Sequence, residues 1–173
     1  MNTLQPFAFK TLAWYNRQVN EAVAELLIEY PVLTLEPKTT YYGSILDLLS
    51  HIAHSDRSWL ERLDAQALAG THLPQPRSFS DSGAEFADFD IWRSHRDSLD
   101  RFMEGYCEAL TETELAREVT YRNSKGVEYR QPLWQLLLHM FNHETHHRGQ
   151  IAQVLDERGV ANDYSNLVWY LRA

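Results

Sequence analysis

Residues 132–159 read PLWQLLLHMFNHETHHRGQIAQVLDERG, and their spacing decides the fold class. Pro132 suits a first helical turn and Gly159 a helix exit. At about 100° per residue with Leu136 as zero, Met140, Ile151 and Val154 fall within about 60° of it, the apolar stripe of one long amphipathic helix. His143 and His147 land at about −20° and +20°, in the middle of that stripe, so both point inward. His139 and His146, at about −60° and −80°, lie on its flank, where a solvated or interface role is the plainer reading.

Working outward, Glu118 to Arg130 (EVTYRNSKGVEYR) alternates around Asn123-Ser124-Lys125-Gly126, which predicts a small β-hairpin just before the long helix. Apolar residues at three and four spacing predict a first helix over Phe7–Ile28. Ser44 is placed to cap a second helix, ILDLLSHIAHSDRSWLERLDAQAL, that ends near Gly70. Pro31 and Pro37 bound an irregular stretch between these helices, and the proline- and serine-rich segment from His72 to Gly83 is a loop. A third helix follows from about Glu85 to Leu110, and the chain ends in a short tail, YSNLVWYLRA. Four helices of roughly 22 to 28 residues, able to lie side by side, predict an all-α four-helix bundle in one domain over residues 1–173. Connections near 15 residues leave the helix order open.

Composition narrows the function. Sixteen Lys plus Arg against 24 Asp plus Glu give a net charge of −8, and no basic run is present to track a phosphate backbone, so nucleic acid is not an expected partner. The single cysteine, Cys107, excludes an internal disulfide and a CxxC redox pair, and near the end of the third helix it reads as a small core residue. No run approaches the roughly 18 apolar residues of a membrane helix, and the start MNTLQPFAFK lacks a signal-peptide core. The expected compartment is the cytoplasm.

Two inward histidines one turn apart bring ring nitrogens whose burial costs free energy unless they find partners, and the i, i+4 spacing lets both coordinate one ion. The bland alternative is a pair of hydrogen-bonded core histidines. A third ligand is available on the second helix, where His51 lies about 110° from the centre of the apolar stripe, at its edge, and His54 nearly opposite. Three imidazoles with an open position form the catalytic pattern for zinc; nickel, iron or manganese suit the same nitrogens. His143-Glu144-Thr145-His146-His147 also fits HExxH, the zincin protease signature. Gln150 stands where the longer zincin motif needs glycine, and no glutamate follows Val160 as a distant ligand. Glu144, about 80° from Leu136, is assigned no role; Gln150, at about −40°, is close enough to support a ligand. Arg148 points elsewhere, toward an acid on a neighbouring helix.

The stretch LLLHMFNHETHHRGQIAQVL, with HxxxHRGQ at His143 to Gln150, resembles the signature of the DinB-like (damage-inducible) metal-binding proteins, related to the YfiT-like metal-dependent hydrolases. SILDLLSHIAHSDRSWLERL resembles the family's second-helix block, and LAWYNRQVNEAV and YSNLVWYLRA extend the likeness over nearly the whole chain. The resemblance implies a bundle with up-down-down-up helix order, a divalent metal on His51, His143 and His147, and a homodimer. Relatives in the wider superfamily include transferases and isomerases that use bacillithiol, mycothiol or related thiols. The expectation is therefore a metal-dependent enzyme that activates water or a low-molecular-weight thiol toward a small-molecule substrate. The alternative is a non-catalytic metal-binding stress-response protein; a third option is an interaction module using Trp169 and Tyr170.

Overall fold

The computed structural model describes residues 6–35, 42–63, 88–164 and 166–172. Helix α1 (Pro6–Glu29) begins on a proline, whose fixed φ and missing N–H suit a first turn, and it buries Phe9, Ala13, Asn16, Asn20, Val23 and Leu27 along one stripe. Helix α2 (Ile45–Leu63) starts at Ser44, whose hydroxyl accepts from the Asp47 amide at 3.0 Å and donates to the Asp47 carboxylate at 2.7 Å. Helix α3 (Phe89–Glu108) is capped by the Asp88 carboxylate, which accepts from the amides of Asp90 and Ile91. A one-turn helix α4 (Glu112–Ala116), capped by Thr111, leads into strands β1 (Glu118–Arg122) and β2 (Glu128–Pro132). They pair antiparallel from Glu118 opposite Pro132 to Arg122 opposite Glu128.

Helix α5 (Leu133–Glu157) is the long C-terminal helix. Pro132 ends β2 and caps α5 from outside, so the helix opens one residue later than the proline suggests. Gly159, at φ +67°, closes it: its amide reaches the Asp156 carbonyl and that of Val160 the Leu155 carbonyl, a pairing that needs a left-handed residue. A 3₁₀ turn at Pro31–Leu35 falls in the stretch expected to be irregular, and a turn of helix, α6 (Leu167–Tyr170), in the expected tail. The predicted extension of the second helix to Gly70, the loop with His72, and Glu85 lie outside the described residues.

Side-chain pairs give the helix directions. Lys10 meets Glu108, Arg17 meets Glu104 and Asn20 meets Asp100, so α1 and α3 are antiparallel. The Trp92 indole donates to the Leu49 carbonyl and Arg96 pairs with Asp56, so α2 and α3 run the same way. His51 meets His143 while Trp59 meets His139, making α2 and α5 antiparallel. The order is up-down-down-up. Leu27, Leu48, Leu60, Trp92, Leu99, Met103, Leu137 and Met140 fill the interior.

One layer of that interior is polar, and it forms a closed ring to which every long helix contributes. Asn16 of α1 donates to Asp100 of α3 at 3.2 Å, and the Arg96 guanidinium spans Asp100 and Asp56, each at 2.5 Å. Asp56 of α2 faces Glu144 of α5, Arg148 holds Glu144 at 2.8 Å, and the same guanidinium returns to Asn16. Three carboxyls share two guanidiniums in a buried layer where an uncompensated charge is costly, so one carboxyl keeps its proton. Burial, reinforced by the neighbouring Asp56 charge, pushes Glu144 well above the carboxylate range. Asp56 Oδ1 and Glu144 Oε1 are both buried without another hydrogen-bond partner, and a protonated Glu144 donates across that gap.

Candidate metal centre

The centre is built on α2 and α5 beside the polar ring. On α5, His143 and His147 stand one turn apart; on α2, His51 faces them. The His143 Nε2 lies 3.0 Å from His147 Nε2 and 3.2 Å from His51 Nε2, so three ring nitrogens converge on one point. His147 is buried; His51 and His143 are half-buried and keep the group in touch with solvent. Burial first, then the neighbouring imidazoles, hold His51 and His143 down to about 4. Both are neutral at pH 7, with lone pairs free to coordinate.

Hydrogen bonding tightens this reading. Gln150, one turn beyond His147, lies with its Oε1 2.8 Å from His147 Nδ1. A carbonyl oxygen only accepts, so the ring proton sits on Nδ1 and His147 Nε2 presents a bare lone pair. One proton on His143 Nε2 cannot point at both neighbours, so at least one of the short N···N contacts lacks a hydrogen bond. A cation resolves that conflict. Nitrogens bound at about 2.1 Å lie about 3.0–3.4 Å apart when the angle between them is about 90–109°, which the 3.0 and 3.2 Å separations satisfy.

The other described histidines lie outside the group of three converging nitrogens. His139 is exposed and packs against Trp59, His146 is exposed beside His147, and His54 is half-buried on α2. His95 is buried on α3, with desolvation holding it down to about 4. Glu144, the would-be general base of HExxH, is 0% exposed and tied to Arg148 in the ring. Arg148 finds its acid on its own helix and an asparagine on the neighbouring one. Burial pushes the Cys107 thiol up to about 12, which removes it as a nucleophile near neutrality.

Tyr42 was not legible as a site residue. It precedes α2 and leans over the centre, its ring 4.7 Å from His51 and 5.6 Å from His147. Nothing in the non-periodic stretch before Ser44 assigns a direction to that ring.

The profile of the DinB family matches residues 1–173. The chain belongs to the DinB family. A curated relative, "Protein DinB" of Bacillus subtilis (strain 168), is 27% identical over 170 residues, which covers 97% of this chain and 95% of that protein. Family membership and the three-histidine cluster are together compatible with metal binding. No described helix of this DinB family member is long and apolar enough to cross a membrane.

Proposed function

We propose that His51, His143 and His147 hold one divalent ion, zinc or nickel before iron or manganese, and that the protein is a metal-dependent enzyme of the hydrolase or thiol-transferase type. The observation that carries this is the convergence of three Nε2 atoms, two of them on imidazoles that burial keeps neutral. A divalent ion with an open position lowers the pKa of a coordinated water or thiol, supplying a nucleophile near neutral pH.

The chain's own residues do the rest. Gln150 fixes the tautomer and the ring plane of His147. Tyr42 covers one side of the centre and restricts water there, while the half-exposed His51 and His143 leave an approach for a small-molecule substrate. Among the described residues no fourth ligating side chain joins the group, which supports an open position over a closed structural site. The wider superfamily's use of low-molecular-weight thiols makes such a thiol the first cosubstrate to try. The resemblance also implies a homodimer, for which the exposed Val168, Trp169 and Leu171 offer an apolar face, and sedimentation equilibrium reads it directly.

The test is metal content by mass spectrometry on untagged protein, for the wild type and for His51→Ala, His143→Ala and His147→Ala. The expected result is near one equivalent, lost in each variant. A wild type that stays metal-free after incubation with zinc and nickel refutes the site. A cobalt-substituted form without an exchangeable water removes the basis for catalysis and returns the protein to the non-catalytic metal-binding reading.

A further inference from the structure

Ring contacts do not stop at the three histidines. Where α2 packs on α5, the exposed His139 lies 6.2 Å ring to ring from His143 and 5.1 Å from the Trp59 indole. Trp59 in turn meets Tyr121 of β1 at 5.4 Å, and Tyr121 stacks on Tyr129 of β2 at 5.8 Å. The indole is inclined by 67° to His139 and by 64° to Tyr121. Rings meeting at such angles form notches, in which a flat group stacks on one face while the neighbouring ring meets its edge.

Three features mark this row as a surface kept for contact. Trp59 and Tyr121 are only half-buried, although aromatic rings of this size contribute most when fully packed. The Tyr121 hydroxyl is already committed, donating to Gln131 at 2.6 Å, and the Arg62 guanidinium lies 5.0 Å over one face of the Trp59 ring, which leaves the other face and the ring edge as what the indole can offer. The hairpin itself contributes one buried side chain, Val119, to the core, and a two-stranded ribbon has little stability of its own. It also stands Tyr121 against Trp59.

We infer that this shelf receives a planar apolar group of the substrate, an aromatic ring, whose reactive atom lies at the three-histidine centre. The row ends on His143, one of the three converging imidazoles, with His139 between it and Trp59, so a ring on the shelf lies within a small molecule's length of the cluster, which favours a small molecule over a macromolecular partner. What the reactive atom meets rests on the metal reading above; what the shelf holds rests on the rings alone.

The test uses two chelating probes with one head group, acetohydroxamate and 2-naphthohydroxamate, titrated into the zinc-loaded protein by calorimetry. The naphthyl probe binds about tenfold tighter, a gain lost in Tyr121→Ala and Trp59→Leu while acetohydroxamate affinity holds. In a second arm, 2-naphthol added to metal-free protein shifts the Trp59 indole N–H resonance. Equal affinities with an unmoved Trp59 signal overturn the shelf and leave the metal reading standing. Absence of zinc binding with a shifted Trp59 signal does the reverse. Tyr121 lies on the hairpin outside the bundle core, so its variant decides the matter if Trp59→Leu fails to fold.

Discussion

Helix α5 carries two i, i+4 polar pairs offset by a single residue, and they meet different fates. Glu144 and Arg148 turn into the bundle and close a ring with Asn16, Asp56, Arg96 and Asp100. His143 and His147 turn toward α2 and meet His51, and His143 Nδ1 is buried without a hydrogen-bond partner among the described residues. Both regions place polar atoms in apolar surroundings. The ring pairs every charged group with an opposite charge or an amide, leaving Arg96 Nε without a partner, and so reads as structure; the histidine cluster brings three imidazoles together with no acid among the described residues to balance a shared cation, and so reads as a site.

The sharpest way to break this contrast is at Arg96. Arg96→Ala leaves Asp56 and Asp100 buried without their shared cation, and urea unfolding should show a loss of about 3–5 kcal/mol. His147→Ala, at the equivalent depth in the other region, is expected to leave metal-free stability far closer to wild type. Its cost emerges on adding zinc, where the wild type gains about 2.7 kcal/mol at a hundredfold excess over Kd and the variant gains none. Equal losses for the two variants without metal would mean that the cluster is structural after all.

Much of this arrangement is legible in the sequence, and the exceptions share a cause. The 3.6-residue period of α5 and the turn at Asn123–Gly126 reflect local rules, so helix and hairpin follow from the residues alone. His143 and His147 were visible because two histidines in an apolar stripe are conspicuous, and His51 because it marks the edge of the α2 stripe. The ring was not visible: Asn16, Asp56, Arg96 and Asp100 each look like an isolated break in an apolar face, and only the packing of four helices shows them to be partners. Tyr42 and α4 lie where no period exists to read.

A smaller effect tests the support of the cluster. Gln150→Ala removes the acceptor that fixes the His147 tautomer, and competition with a chelator should show metal affinity reduced about 10–100-fold with the fold intact. Glu144→Gln, its counterpart in the ring, replaces a protonated acid by an amide of similar shape and is expected to cost about 1 kcal/mol and to leave metal content unchanged.

Acid separates the regions by sign. His51 and His143 titrate near 4 in the metal-free fold and near 6.5 when unfolded, so the unfolded chain binds more protons between those values and their contribution is lost as pH falls through that window. Asp100, raised by burial to about 6 from 3.8, does the opposite: its contribution is present at low pH and is lost as pH rises through about 6. Unfolding free energies of the metal-free protein, measured from pH 7 to 4, should therefore fall less steeply in His143→Asn than in the wild type. An unchanged slope would place the acid sensitivity elsewhere.

The one-residue offset on α5 also constrains how this sequence can vary over generations. Deleting a residue between Leu138 and Asn142 would bring Glu144 and Arg148 to the places of His143 and His147, and Thr145 and Gly149 to the ring. Inserting one would carry His143 and His147 into the ring and leave Asn142 and His146 facing α2. Substitutions can be tried singly against either region, but a change of length damages both at once. Drift in this stretch is thereby confined to exchange of letters, with gaps excluded until after His147 and Arg148 have passed.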